Sequence, residues 1–232
     1  METALIILAA GKGTRMNSDL PKVLHRVASA PMLEHAMAAG AMLGPRHTVV
    51  VAGHGADQVR AAATLFDEDA QVVEQTEQLG TAHAVAQARP ALDGFDGMAL
   101  VLYGDTPFVQ PETLEKMQEA LATHDVVVLG FEAADPARYG RLVMQGDALE
   151  RIVEFKDASA EERAITLCNS GVVACKSELL FDLIDKVGND NASEEYYLTD
   201  IIGIARAEGR SATVVTCDEA ETMGVNSRAD LA

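Results

Sequence analysis

A short apolar run at residues 5–8 leads into Ala9-Ala10-Gly11-Lys12-Gly13-Thr14-Arg15-Met16, a turn of small residues with two cations inside it. Such a turn leaves backbone N–H groups uncovered, and N–H groups pointing into one concavity beside Lys and Arg cradle phosphate oxygens. Residues 3–30 carry Lys12, Arg15, Lys22 and Arg26 against Asp19 alone, a local +3 on a chain whose formal net charge is −18. A small anion site is therefore written into an acidic surface. Arg15 can donate two parallel N–H bonds to a phosphate, while Lys22 acts as a point charge.

Other polar residues stand where they can join this site. Leu100-Val101-Leu102-Tyr103-Gly104-Asp105 reads as a buried strand ending in a glycine and a carboxylate. Asp105 is a hard oxygen ligand suited to Mg2+, and, before Thr106-Pro107, it reads equally as a turn or capping residue. Gln75 and Gln78 flank Glu77 just before Gly80-Thr81, and a carboxamide both donates and accepts. Nothing suggests a Ser-His-Asp set. The six histidines lack metal-ligand spacing, and Cys168, Cys175 and Cys217 lack CxxC spacing and read as buried reduced thiols.

The rival phosphate motifs fail. GxxxxGK[ST] is absent, and the dinucleotide fingerprint needs a third glycine where Met16 stands. Gly53-His54-Gly55 reads as an ordinary strand-to-helix turn. The net charge argues against nucleic acid or an anionic membrane as partner. No apolar run near the start is long enough to span a bilayer and no positive n-region precedes it, so, with unpaired thiols, a cytoplasmic location is expected.

Elements must bring these residues together. Strands are expected near residues 5–8, 48–52, 71–74 and 99–103, alternating with helices near 32–43, 57–66, 81–88 and 111–122. Alternation of this kind implies an α/β fold, a mostly parallel sheet with helices on both faces, whose ligands lie beyond the carboxyl ends of the strands. After Asp125 the pattern turns strand-rich (126–131, 141–144, 149–155, 167–174), followed by helices near 178–187 and 198–208, a mixed extension that reads as a second lobe. With 232 residues, 48% apolar, and no Pro/Ser-rich linker, one domain is expected over 1–232, with parts at 1–124 and 125–232. A further helix is expected to begin after Asn226-Ser227.

The residues Leu8-Ala9-Ala10-Gly11-Lys12-Gly13-Thr14-Arg15-Met16 and Leu20-Pro21-Lys22-Val23-Leu24 carry a resemblance. It continues through Glu77-Gln78-Leu79-Gly80-Thr81-Ala82-His83-Ala84, Leu102-Tyr103-Gly104-Asp105, Tyr139-Gly140-Arg141, Ile152-Val153-Glu154-Phe155-Lys156, Asn169-Ser170-Gly171, Glu195-Tyr196-Tyr197-Leu198-Thr199-Asp200 and Gly224-Val225-Asn226. In this order they resemble the sugar-phosphate nucleotidyltransferases of Rossmann-like fold, and among them the uridyltransferase domains of bacterial N-acetylglucosamine-1-phosphate uridyltransferases. The resemblance implies transfer of UMP from UTP to N-acetylglucosamine 1-phosphate. It places Leu8, Ala10, Gly11, Gly13, Gln75, Gly80 and Thr81 against the nucleotide, with Gln75 on the base. Arg15 and Lys22 meet the phosphates, and Asp105 with Asn226 holds Mg2+. Gly140, Glu154, Asn169, Tyr197 and Thr199 form the sugar-binding set in the strand-rich lobe. Relatives continue into a β-helix acetyltransferase part, through which they trimerise; no such part is expected here. Phe155 and Ser170 depart from the pattern, where relatives often carry Glu or His, and Thr. Two other readings remain open: the same fold serving another acceptor, or a nucleotide-binding module without catalysis.

Overall fold

The computed structural model describes residues 1–227 and 229–231. In chain order the strands are β1 (Thr3–Ala9), β2 (Arg26–Val27), β3 (Ala30–Pro31), β4 (His47–Ala52), β5 (Gln71–Glu74), β6 (Met98–Tyr103), β7 (Val126–Glu132), β8 (Arg141–Gln145), β9 (Ala148–Val153), β10 (Leu167–Lys176) and β11 (Ala212–Cys217). The helices are α1 (Met32–Ala41), α2 (Ala56–Phe66), α3 (Thr81–Ala86), α4 (Pro111–Ala120), α5 (Ala160–Arg163), α6 (Ser177–Ile184) and α7 (Asp200–Ala207).

β1 explains the layering. All seven of its residues are buried, and a strand covered on both faces reads as a continuous apolar run instead of an alternating one. Leu5 and Ile7 pack with Leu33 and Met37 of α1, Val59 of α2 and Met117 of α4 on one face. Ile6 and Leu8 pack on the other face with Val85 of α3, Leu180 of α6 and Ile201 of α7. Helices thus cover both faces, and each fully buried Leu or Ile contributes roughly 1.5–3 kcal/mol.

The main path of the nine-stranded sheet runs β11-β7-β10-β6-β1-β4-β5, with the β8–β9 hairpin attached to β10. β1 pairs in parallel with β4 on one side and β6 on the other. The connections leaving the carboxyl ends of β1 and β6 therefore run to opposite sides, towards β4 and towards β7, which makes the switch point where open α/β sheets bind ligands. β10 runs antiparallel between β6 and β7, and β11 adds to β7 in parallel.

The strand-rich second part is a mixed extension of the sheet, as expected: β7, β10 and β11 continue the main sheet, and the β8–β9 hairpin stands off its path. Two expectations need correction. Cys168 and Cys175 are buried, but Cys217, on the edge strand β11, is only half-buried. Residues 229–231 form a turn, where the beginning of a helix was expected; Arg228 and Ala232 lie outside the described residues.

Candidate active site

The loop after β1 turns sharply at Gly13, whose φ of 57° lies in the left-handed region; a Cβ there would stand 2.6 Å from Cβ of Lys22. Glycine is therefore what lets this loop lie against Lys22. Gly80, φ 120°, plays the same part ahead of α3, since a Cβ would meet the Tyr196 carbonyl at 2.4 Å. Ala82 N donates to Tyr196 O at 2.9 Å, which pins the start of α3 to the segment before α7.

These turns enclose a cleft of about 330 Å³ beyond the carboxyl ends of β1, β5 and β6. Every residue assigned to the nucleotide or the chemistry lines it: Leu8, Ala10, Gly11, Gly13, Arg15, Lys22, Gln75, Gly80, Thr81, Asp105 and Asn226. Lys12 does not; with His54 and Asp19 it lines a separate open recess. The sequence reading missed Tyr103 and Glu195 as lining residues, and left Gln78 without a role, although its Nε2 donates to Ala10 O at 2.8 Å and braces the loop.

At one end of the cleft the Lys22 ammonium is paired with the Asp105 carboxylate and donates to Asn226 Oδ1 at 2.6 Å. Arg15 Nη2 donates to the same Asn226 oxygen at 3.3 Å. Asn226 is brought here by its neighbour, because Val225 N donates to Asp105 O at 3.0 Å. The expectation put Lys22 on phosphates; in the structure it is held by the two residues expected to bind a metal. Among the described residues no group of three or more His, Cys, Asp and Glu side chains could hold a metal. Any ion here would have one carboxylate and one amide oxygen from the protein, and would complete its shell with waters and phosphate oxygens.

The five residues expected to bind the sugar stand apart from this end of the cleft. Gly140 precedes β8, and its carbonyl accepts from Asn169 N at 2.9 Å, while Thr199 Oγ1 donates to Glu154 Oε1 at 3.1 Å. None of the five lines the main cleft. Asn169 and Thr199 border a small apolar cavity that Tyr103 shares with it, whereas Glu154 and Tyr197 line a separate open recess. Burial pushes the Glu154 carboxyl up, the Thr199 hydroxyl opposes this, and the Asp200 and Asp157 charges add to it. The Tyr103 hydroxyl is raised as well, by enclosure first and then by the Glu154 and Asp105 carboxylates.

Arg141 supports this side from within. It is 2% exposed, and its guanidinium donates to the carbonyls of Tyr139, Ala137 and Arg163, with no carboxylate partner among the described residues. Arg141 pairs across the sheet with Val153 and Cys168, the neighbours of Glu154 and Asn169, and directly follows Gly140. The two departures from the family pattern are engaged internally. Phe155 packs under the Arg141 and Arg163 guanidiniums at 5.9 and 4.6 Å, and Ser170 Oγ donates to Leu129 O at 2.7 Å.

A doubly covered, mostly parallel sheet, with a cationic glycine loop after its first strand and a carboxylate after β6, defines a nucleotidyltransferase. Residues 5–170 match the MobA-like NTP transferase domain model, and the chain belongs to that family. It is 71% identical over 232 residues to the bifunctional protein GlmU of Ruegeria pomeroyi, an alignment covering all of this chain and 52% of the relative. To GlmU of Roseobacter denitrificans it is 66% identical over 231 residues, covering 100% and 51%. The chain spans about half the length of the curated relatives it matches. Among solved structures, the inositol-1-phosphate CTP transferase from T. maritima has a TM-score of 0.78 at 19% identity, covering 100% of this chain and 92% of that one. A UDP-glucose pyrophosphorylase complexed with UDP-glucose has a TM-score of 0.77 at 17% identity, covering 100% and 96%. At these identities the likeness is one of fold. Among the described residues no helix is long and apolar enough to cross a membrane.

Proposed function

We propose that this nucleotidyltransferase transfers UMP from UTP to N-acetylglucosamine 1-phosphate, releasing pyrophosphate, as a cytoplasmic enzyme acting on small molecules, with no nucleic acid or membrane partner. The observation that carries the reading is the convergence of Arg15, Lys22, Asp105 and Asn226 at one end of a cleft whose other end is formed by Gln75, Gly80 and Thr81. Uridine and the acetamido sugar follow from the resemblance at Gln75 and at Gly140, Glu154, Asn169, Tyr197 and Thr199, and are supported by the high identity to GlmU proteins.

A phosphate oxygen of the sugar phosphate attacks the α-phosphorus of UTP. The bond from that phosphorus to the oxygen bridging the β-phosphate breaks, and pyrophosphate leaves with its electrons. No covalent enzyme intermediate is needed, so the protein's part is alignment and fixed charge. Arg15 and the backbone of the Gly11–Gly13 turn hold the triphosphate, and Lys22 meets the charge that grows on the leaving group.

Asp105 and Asn226 suit a divalent cation, because both already turn their oxygens to one positive centre, the Lys22 ammonium. When bound there, Mg2+ supplies charge neutralisation on the reacting phosphates. Kinetics with a sugar panel test the acceptor. N-acetylglucosamine 1-phosphate should exceed glucose 1-phosphate in kcat/KM by at least about tenfold, since a pocket that hydrogen-bonds a polar substituent rejects the analogue lacking it. Equal values would remove the acetamido assignment and leave the uridylyl transfer standing.

A further inference from the structure

Gln75 is 5% exposed, and its Nε2 lies 3.0 Å from the Gly80 carbonyl and 3.0 Å from His83 Nδ1. A carbonyl oxygen only accepts, so the Gln75 atom facing it is the nitrogen. The second amide hydrogen then goes to His83, whose Nδ1 is the lone-pair nitrogen, with the ring proton on Nε2. Both amide donors are used inside the protein. What Gln75 has left for the cleft is Oε1, an acceptor.

We propose that His83 is a positioning residue that locks the Gln75 amide with Oε1 available to the base, so that the cleft selects a pyrimidine carrying a ring N–H and rejects one with a bare ring nitrogen. Uracil presents N3–H, a donor, whereas cytosine presents N3 as an acceptor. This rests on Gln75 as the base-reading residue and UTP as the substrate, and adds the device that sets the direction of the reading. A flipped amide would put Oε1 against Gly80 O, which only accepts, and would meet a donor at His83 Nδ1 only after the ring proton moved there from Nε2. Gly80 O is already shared with Ala84 N at 3.1 Å in the first turn of α3. His83 is thus the partner that holds the second hydrogen. Without it the flip is opposed on one side only.

The test is kcat/KM for UTP and for CTP with saturating sugar phosphate, measured on wild type, His83→Phe and His83→Asn. His83→Phe should lower the UTP/CTP ratio by about tenfold, the worth of one enclosed hydrogen bond, through the KM for UTP and not through kcat. His83→Asn places an amide oxygen near the position of Nδ1 and should keep the ratio within threefold of wild type. Because each ratio is taken on one preparation, a partly misfolded variant does not distort it. A wild type that prefers UTP, with His83→Phe within threefold of its ratio or His83→Asn no better than His83→Phe, overturns the role of His83 alone. A wild type without preference for UTP overturns the uridine reading as well.

Discussion

Replacing Lys22 by alanine should weaken the fold and strengthen the binding of a divalent cation. Lys22 is paired with Asp105, at side-chain exposures of 11% and 22%, and donates to Asn226 Oδ1 at 2.6 Å. A charge-assisted hydrogen bond contributes about 1.5–3 kcal/mol, and partial exposure reduces the net loss to about 1–2 kcal/mol. In a chain of this size each kcal/mol moves Tm by about 2–4 °C, so the ligand-free variant should melt about 2–8 °C lower. The same change frees the Asp105 and Asn226 oxygens from their competitor. At ten times its Kd a bound ion adds about 1.4 kcal/mol, so MgCl2 should raise the variant's Tm by about 3–6 °C and wild type's by less. Turnover should fall by about 2–4 kcal/mol of lost transition-state stabilisation. Thermal melts of both proteins across a MgCl2 series provide the readout. An equal or smaller Mg2+ shift in the variant would refute the idea that lysine and metal compete for one pair of oxygens.

Further outcomes follow from the same geometry. Asp105→Asn should abolish Mg2+-dependent turnover; activity that persists at an unchanged Mg2+ requirement would place the ligand elsewhere. Burial holds the Glu154 carboxyl above its ordinary range, so the folded chain keeps that proton longer than the unfolded chain and Glu154 costs stability as pH rises through that range. Glu154→Gln should therefore raise the ligand-free Tm near about pH 7 and lose that advantage below about pH 4; a difference independent of pH would contradict it. Arg141→Leu should cost about 2–4 kcal/mol in urea unfolding by leaving the carbonyls of Ala137, Tyr139 and Arg163 unsatisfied, and a loss below about 1 kcal/mol would argue against their dependence on it. Asn169→Ala should narrow the preference for the acetylated sugar over glucose 1-phosphate, and an unchanged preference would take its amide out of sugar recognition.

The parallel core was legible because β1, β4 and β6 are runs buried on both faces and helices alternate with the strands; β4 and β6 begin within one residue of their expected starts. The main cleft was legible for the same reason, since motifs at the carboxyl ends of parallel strands must meet. Strand β11 escaped notice: Ala212-Thr213-Val214-Val215-Thr216-Cys217 lies at the sheet edge, and its buried-to-exposed pattern is too weak to announce itself. The insertion of antiparallel β10 between β6 and β7 is a matter of strand order, which no local pattern encodes. The capping box of α5, Ser159 with Glu162, was open to reading as S-x-x-E and went unused. Lys22 on Asp105 and Asn226 joins residues 83 and 204 positions apart, and a long flexible side chain between two anion-seeking loops chooses its partner only in three dimensions. Tyr103 was quoted inside its motif but given no role, because its place between the two cavities depends on the bulge in β10 between Asn169 and Val173.

The most direct measurement is pyrophosphate release by the purified chain, with each of the four nucleoside triphosphates paired with N-acetylglucosamine 1-phosphate, with and without Mg2+. Release should require UTP, the sugar phosphate and Mg2+ together, should yield UDP-N-acetylglucosamine as the second product, and should collapse in Lys22→Ala. Release from UTP without the sugar phosphate, equal release from another nucleotide, or none under any pairing would contradict uridylyl transfer at this cleft.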